Sequence, residues 1–84
     1  MAWVRTQDRT EIIDCRAFAI MKSERYNQWL LVGYHELSNT NYAILGTFIS
    51  KDDALKELDR LESWLGSGNT IAPVYKVGSS AKHS

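Results

Sequence analysis

Short runs that favour β-strands fill the first third of the chain. Residues 3–6 (WVRT), 11–15 (EIIDC) and 17–21 (AFAIM) each favour a β-strand, because successive side chains of a strand point to opposite faces of the sheet. The polar residues 7–10 separate the first two runs, and the charged residues 22–25 follow the third with flanks that fit a hairpin. This part of the sequence therefore predicts three short strands joined by turns.

Three further apolar runs predict the remaining strands. Residues 28–36 (QWLLVGYHE) are apolar on both faces, which favours a central strand, or a strand covered by a helix on one face and by a partner chain on the other. Residues 42–49 (YAILGTFI) predict the next strand, in which Gly46 indicates a bulge or a close approach of another backbone. Residues 71–77 (IAPVYKV) predict a last strand at a sheet edge, because Pro73 lacks an N–H donor.

One helix is predicted between Ser50 and the glycine-containing segment 66–69 (GSGN). Ser50 is a good N-cap, and Asp53 three residues later completes a variant of the capping box. Apolar residues then recur at spacings of four, three and four and predict one buried stripe, which Leu55 widens: Ala54, Leu58, Leu61 and Leu65. Trp64 lies beside this stripe, and we interpret it as a core residue rather than an oligomer contact.

The predicted element order is β-β-β-β-β-α-β, which indicates an α+β fold. We expect an antiparallel sheet of five to six short strands with one helix packed on one face. Residues 1–77 would form a single compact domain, and residues 78–84 a disordered tail. One helix leaves the other face of such a sheet partly uncovered, and its candidate residues are aromatic: Trp3, Trp29, Tyr34, Tyr42, Phe48 and Tyr75.

Length and charge bear on the partners of this domain. The chain has 84 residues, and ten basic residues balance ten acidic ones. A chain of this length buries only about 60–65% of the surface that its unfolded form exposes, so a core of its own is marginal. Exposed aromatic area indicates an interface, and zero net charge does not oppose self-association, so we expect a homo-oligomer. The same balance argues against duplex nucleic acid as a partner, since phosphate neutralisation drives such binding.

The single cysteine and the shortness of the apolar runs indicate the cellular compartment of the protein. A small secreted domain typically carries paired cysteines, whereas this chain has only Cys15. Its apolar runs, residues 29–32 among them, are far shorter than the roughly 20 residues that span a bilayer. We therefore expect a cytoplasmic protein that does not bind membranes, located in the host cytoplasm if a phage encodes it.

The side chains offer little for catalysis or metal binding. No CxxC, HxxxH or HExxH pattern occurs, so we expect no metal and no cofactor. Cys15 and His35 could form a nucleophile–base pair, but a small buried thiol and an imidazole at a strand edge explain them better. For Asp14 a satisfied structural hydrogen bond is the favoured interpretation. We therefore expect no catalytic residues and no enzyme activity.

The N-terminal strand carries the best candidate for a binding site. With strand alternation, Trp3, Arg5 and Gln7 share one face, and Arg9 follows in the turn. Arginine side chains suit phosphates, and aromatic rings suit bases, so the four residues together favour a nucleotide-like ligand. The alternative is structural: Trp3 packs beneath the helix at Leu58, Leu61 and Leu65, and both arginines lie along a solvated sheet edge.

Two stretches of the chain resemble a known group of sequences. MAWVRTQDR and YAILGTFISKDDALKELDRL are similar to small uncharacterised proteins of Gram-positive bacteria and their phages, which share a W-V-R-[ST]-Q-D-like start, a later strand-to-helix segment and a tyrosine in the last strand. The matching residues are Trp3, Val4, Arg5, Thr6, Gln7, Asp8, Ile44, Leu45, Gly46, Phe48, Ser50, Ala54, Leu55, Leu58, Asp59 and Tyr75.

The resemblance implies a phage or mobile-element context and carries no activity with it. Phage proteins of this size include homo-oligomers that sequester nucleotide immune signals and others that bind host proteins. By analogy of type, we expect a non-enzymatic protein that binds a nucleotide-like small molecule, in the manner of immune evasion by sequestration. The alternative is a protein-interaction module that inhibits or regulates a host factor.

Overall fold

The computed structural model describes residues 2–35, 41–67 and 74–78. The predicted α+β class and the element order are confirmed. The elements are β1 (Ala2–Arg5), β2 (Ile12–Cys15), β3 (Ala17–Lys22), β4 (Trp29–Tyr34), β5 (Ala43–Phe48), α1 (Lys51–Gly66) and β6 (Val74–Lys76).

The six strands form two three-stranded sheets rather than one. The first sheet has the order β2-β1-β6 and the second the order β3-β4-β5. All pairs are antiparallel except β1 and β6, which run parallel. The predicted sheet was wholly antiparallel; the parallel pair arises because β6 comes after the helix and not after a hairpin turn.

Main-chain hydrogen bonds join the two sheets at their ends. Only Arg16 separates β2 from β3, and its N–H donates to the carbonyl of Tyr34 over 2.8 Å. On the other side, the N–H of Gln7 donates to the carbonyl of Leu45 over 2.7 Å. The two sheets are therefore connected through the main chain, and they share one hydrophobic core.

The core lies between the inner faces of both sheets and the helix. Val4 contributes from β1, Leu31 from β4 and Leu45 from β5, and each is at most 1% exposed. The helix adds Leu61 and Trp64, so the interpretation of Trp64 as a core residue is confirmed. Burial of such side chains is the main favourable term in folding, at about 25 cal/mol per Å² of apolar surface.

The buried face of the helix is rotated from the predicted stripe. The buried positions of α1 are Ala54, Glu57, Leu61 and Trp64, whereas Leu55 is 38% and Leu65 41% exposed. The predicted stripe was wrong at Leu65, because the helix turns its Glu57 and Trp64 flank towards β6. There the Trp64 and Tyr75 rings lie 5.5 Å apart.

A bulge in β5 changes which of its residues face outward. The register with β4 shifts between Leu31, opposite Gly46, and Val32, opposite Ile44. Uninterrupted alternation would put Ile44 and Phe48 on one face, but Ile44 is 51% and Phe48 only 2% exposed. The prediction that Phe48 lies on the uncovered face was therefore wrong, while Gly46 beside a bulge is confirmed.

Several predictions fall at the margins of the described residues. Glu36, Pro73 and residues 79–84 of the predicted tail lie outside them. Gly78, which was predicted in the tail, donates its N–H to Glu57 and accepts a hydrogen bond from Gln7. Within the described chain, the single helix is neither long nor apolar enough to cross a membrane.

Candidate anion-binding site

A hydrogen-bonded loop follows β1 and fixes the conformation of Arg9. The Asp8 carboxylate accepts from the Thr6 hydroxyl over 2.7 Å and from the Thr10 hydroxyl over 2.7 Å. The Thr6 hydrogen bond, followed by those from Thr10, lowers the pKa of Asp8. Arg9 donates its N–H to the Thr6 carbonyl over 2.9 Å and has a φ of 70°, a left-handed conformation rare for a non-glycine residue.

Gln7 links the loop to β5 and to the end of β6. Its Nε2 donates to the carbonyls of Thr47 over 3.1 Å and Gly78 over 2.9 Å, and its Oε1 accepts from the Thr47 N–H over 3.1 Å. The side-chain amide therefore pairs with the edge of β5 as a backbone amide would. Because these hydrogen bonds occupy the amide, Gln7 forms part of the wall of the site.

Arg5 and Lys76 lie side by side, and the Arg5 guanidinium reaches back to the loop. The two residues are partners in the parallel β1–β6 pair. The Nε and Nη2 atoms of Arg5 donate to the carbonyl of Arg9 over 3.2 Å and 3.0 Å. The arginine side chain is thereby held in one orientation, and its Nη1 group has no protein acceptor among the described residues.

A cleft of about 260 Å³ lies where β1, the loop and the end of β6 meet. It is lined by Arg5, Thr6, Gln7, Arg9, Lys76, Val77 and Gly78. Three of these side chains are cationic and none is acidic. Among the described residues, none of the three cations forms an ion pair with a carboxylate, so their charge is not neutralised within this part of the protein.

Trp3 lies next to this cleft on the outer face of the first sheet. It is 51% exposed, and it stands two residues before Arg5 on the same face, opposite Val74. The structural alternative, in which Trp3 packs beneath the helix, is wrong. The core side of β1 is formed by Ala2 and Val4, because the strand period puts Trp3 and Arg5 on the other face.

Cys15 and His35 lie in different surroundings, the first buried and the second exposed. Cys15 is 1% exposed; burial, with a smaller effect of Asp14, raises the pKa of its thiol to about 11. A thiol of this kind is a poor nucleophile near neutral pH. His35 is exposed, and its Nδ1 lies 2.8 Å from the main-chain oxygen of Asp14.

The environment of Asp14 differs from the prediction. A satisfied hydrogen bond was expected, but its buried Oδ1 has no hydrogen-bond partner among the described residues. Asp14 lies directly opposite Trp3 in the β1–β2 pair, on the outer face of the first sheet. In the described part of the chain, no group of three histidine, cysteine or acidic side chains is placed to hold a metal ion.

The structure thus brings Arg5 and Arg9 to one cleft, with Gln7 in its wall and Trp3 beside it. Sequence reasoning missed Lys76, whose only signal was a position in the last predicted strand. The chain matches no known family of proteins, and comparisons with characterised proteins and with solved structures find none significantly similar to it.

Proposed function

We propose that this protein is a non-enzymatic binder of a nucleotide-like small molecule. The phosphate group lies in the cleft between Arg5, Arg9 and Lys76, and the aromatic base stacks on Trp3. The observation that carries the proposal is the convergence of three cations, unneutralised by any described carboxylate, on one cleft beside an exposed indole.

The chemistry of the cleft favours a phosphate. Arginine presents a planar fork of N–H donors that matches phosphate oxygens, and lysine adds a point charge. Arg5 is already oriented by its two hydrogen bonds to the Arg9 carbonyl. A pre-oriented side chain loses less conformational entropy on binding, which raises the affinity that a given set of contacts provides.

The size of the cleft supports a ligand that is only partly enclosed. At about 260 Å³, it is smaller than the roughly 300–1,000 Å³ of sites that enclose a drug-sized molecule. It has room for a phosphate or diphosphate, and the base must then lie outside. Trp3 is two residues from Arg5, about 6.6 Å along the strand, which is within reach of a nucleotide whose phosphate is in the cleft.

We base the proposed biological role on analogy with the phage proteins that the sequence resembles. We propose that the chain sequesters a host nucleotide signal as a homo-oligomer, without chemical change to the ligand. Sequestration needs affinity and abundance rather than catalytic groups. A site built from cations and one ring fits that requirement.

The test is ligand binding measured by thermal shift and calorimetry. The probes are inorganic pyrophosphate, ADP, ADP-ribose, a cyclic dinucleotide and adenosine. We expect ADP-type ligands to raise the melting temperature, because a ligand that binds only the native state stabilises it. Pyrophosphate should bind more weakly than ADP, and adenosine hardly at all.

Variants separate the phosphate and base contributions. Arg9→Gln and Lys76→Gln should each weaken pyrophosphate and ADP about tenfold, as expected when one charged hydrogen bond is lost. Trp3→Ser should weaken ADP but leave pyrophosphate unchanged. Arg25→Gln, an exposed arginine outside the cleft, is the matched control. A well-folded sample that responds to none of the probes would contradict the proposal.

The second candidate function, a module that binds a host protein, is favoured by exposed apolar side chains. Ile12 is 51%, Tyr42 46% and Ile44 51% exposed, and such residues are enriched where proteins associate. This function predicts no thermal shift with any probe. It predicts instead that Ile44→Asp abolishes capture of a host protein, whereas Arg9→Gln does not.

A further inference from the structure

Strand β3 has an open edge. It is the terminal strand of the second sheet, and among the described residues its only hydrogen-bonded neighbour is β4. All six of its residues, Ala17–Lys22, pair with β4 without a register shift. The strand contains no proline or glycine, and its only charge is Lys22 at the end. A regular apolar edge of this kind is a template for another strand.

The hydrogen-bond alternation shows which groups point outward. Ser23 donates its N–H to the Gln28 carbonyl over 2.9 Å, and this pair continues the β3–β4 register. In an antiparallel pair, hydrogen-bonded and non-hydrogen-bonded positions alternate. The N–H and C=O groups of Phe18, Ile20 and Lys22 are therefore directed away from β4, towards the open edge.

The other strand edges are protected or short. The edge of β5 is covered by Gln7, whose amide pairs with both main-chain groups of Thr47. The edge strands of the first sheet, β2 and β6, have four and three residues. Short strands and covering groups are common devices against edge-to-edge association. Among the described strands, β3 alone combines length, regularity and an unpaired edge.

One flank of the helix presents two exposed leucines, Leu55 and Leu65, beside the partly buried Leu58. Residues spaced four, three, four and three apart form one stripe along α1: Lys51, Leu55, Leu58, Glu62 and Leu65. This stripe is opposite to the Glu57 and Trp64 flank that faces β6. The first residue of the stripe lies beside the second sheet. The Nζ atom of Lys51 is 5.5 Å from the centre of the Trp29 ring, and the Nζ atom of Lys22 on β3 is 5.9 Å from it.

We infer that a second copy of this chain pairs with β3. The two β3 strands run antiparallel about a two-fold axis perpendicular to the sheet, which produces one continuous six-stranded sheet. The same rotation reverses the helix, so the two α1 stripes meet antiparallel on one face of that sheet. This inference does not depend on the proposed ligand, because the cleft belongs to the first sheet.

The chemistry of this surface is self-complementary, which favours a second copy over an unrelated partner. The stripe has a cation, Lys51, at its first residue and an anion, Glu62, in its last turn. In an antiparallel pair each end therefore meets the opposite charge, with Leu55 and Leu58 between them and Leu65 beyond Glu62. A two-fold interface requires such a self-complementary surface, since every contact is made twice by the same residues.

The experiment is sedimentation velocity and light scattering of the full chain over a concentration series. We expect a dimer. Leu55→Glu should weaken it at least tenfold, whereas Ser63→Glu, which adds the same charge on the solvent face of the same helix, should not. Lys51→Glu and Glu62→Lys should each weaken the dimer about tenfold, because the two-fold axis repeats each charge contact. The double variant, with the charges exchanged, should regain the affinity.

Amide hydrogen exchange tests the strand pairing itself. The amides of Phe18, Ile20 and Lys22 should exchange rapidly at concentrations that favour the monomer and become protected in the dimer. A monomer at every concentration would overturn the inference. So would a dimer that is unaffected by Leu55→Glu, or one in which these three amides still exchange rapidly.

Discussion

Gln7 illustrates how a residue with ligand-binding chemistry becomes part of the fold. From the sequence it shares a strand face with Trp3 and Arg5, and its amide suits a nucleotide. In the structure, three hydrogen bonds from that amide join the loop after β1 to Thr47 and Gly78. The residue thus holds the wall of the cleft, and Arg5 and Arg9 provide its charge.

Gln7→Ala should destabilise the protein by about 2 kcal/mol. Each hydrogen bond contributes roughly 0.5–1.5 kcal/mol net, and the main-chain groups left behind regain water only in part. Urea denaturation should show a lower midpoint with an unchanged slope. Gln28→Ala, at an exposed glutamine, is the control and should change stability by less than about 0.5 kcal/mol. Equal stability of the two variants would contradict the structural role of Gln7.

Gly33 is a second residue whose identity is set by its neighbours across the core. A Cβ added to it would lie 2.5 Å from the Cys15 Sγ and 3.1 Å from a methyl group of Leu45. The absence of a side chain on β4 therefore leaves room for the thiol of β2. This contact lies between β2 of the first sheet and β4 of the second.

Gly33→Ala should destabilise the protein by about 1–3 kcal/mol, the range for overpacking of a core. The penalty should fall by half or more in a Cys15→Ala background, because removal of the sulfur atom relieves the closest contact. Chemical denaturation of the two single variants and the double variant gives this coupling. Additive effects would show that the thiol is not the obstructing group.

At the scale of elements, the helix is oriented by a buried carboxylate. Glu57 is 4% exposed and accepts from the Tyr75 hydroxyl over 2.6 Å and from the Gly78 N–H over 2.9 Å. Arg60 lies 3.5 Å away on the next turn. These contacts turn the Glu57 flank of α1 towards β6 and leave the leucine stripe partly exposed.

Tyr75→Phe should destabilise the protein by about 1–2 kcal/mol, because it removes one donor from a buried carboxylate. Glu57→Gln should reduce the effect of Tyr75→Phe, since a neutral amide needs the hydroxyl less. Tyr26→Phe, at a tyrosine that is 63% exposed, is the matched control and should be neutral. If Tyr75→Phe is as stable as Tyr26→Phe, the hydrogen bond does not orient the helix.

At the scale of the whole molecule, the free energy of unfolding depends on pH through two weakly acidic side chains, Cys15 and Tyr75. Burial raises the pKa of Cys15 from 9.0 to about 11. Burial, with the hydrogen bond to the Glu57 carboxylate and its charge, also raises the pKa of Tyr75. In both cases the native state holds its proton more tightly than the unfolded state, so the contribution to stability is present at low pH and is lost as the pH rises.

The free energy of unfolding should therefore decline as the pH rises above about 9. For Cys15 the loss falls between pH 9 and pH 11 and is on the order of 2 kcal/mol, at 1.36 kcal/mol per pKa unit. Denaturation midpoints measured from pH 7 to pH 11 should show a shallower decline in Cys15→Ala than in the natural sequence. Parallel curves for the two proteins would contradict the assigned pKa.

Local sequence patterns were sufficient to predict the helix and the strands, but they did not predict correctly which face of each element is buried. Alternation and the Ser50 cap predicted every described strand and the helix to within three residues of their ends. The predicted faces were wrong at five positions, since Phe48, Trp29 and Tyr75 pack on the core and Leu55 and Leu65 are exposed. The bulge at Leu45 shifts the alternation by one residue, and the Glu57–Tyr75 contact rotates the helix. Both depend on residues distant in sequence, which periodicity does not register.

The sequence alone determined the fold class, the element order and two of the three cations of the candidate site. These follow from local physics: strand alternation, helical spacing, capping, and the placement of Arg5 and Arg9 around one turn. Only the tertiary structure decided that the strands divide into two sheets and that β6 lies parallel to β1. That pairing brings Lys76 to Arg5 across more than seventy residues, and packing of the whole core determines it.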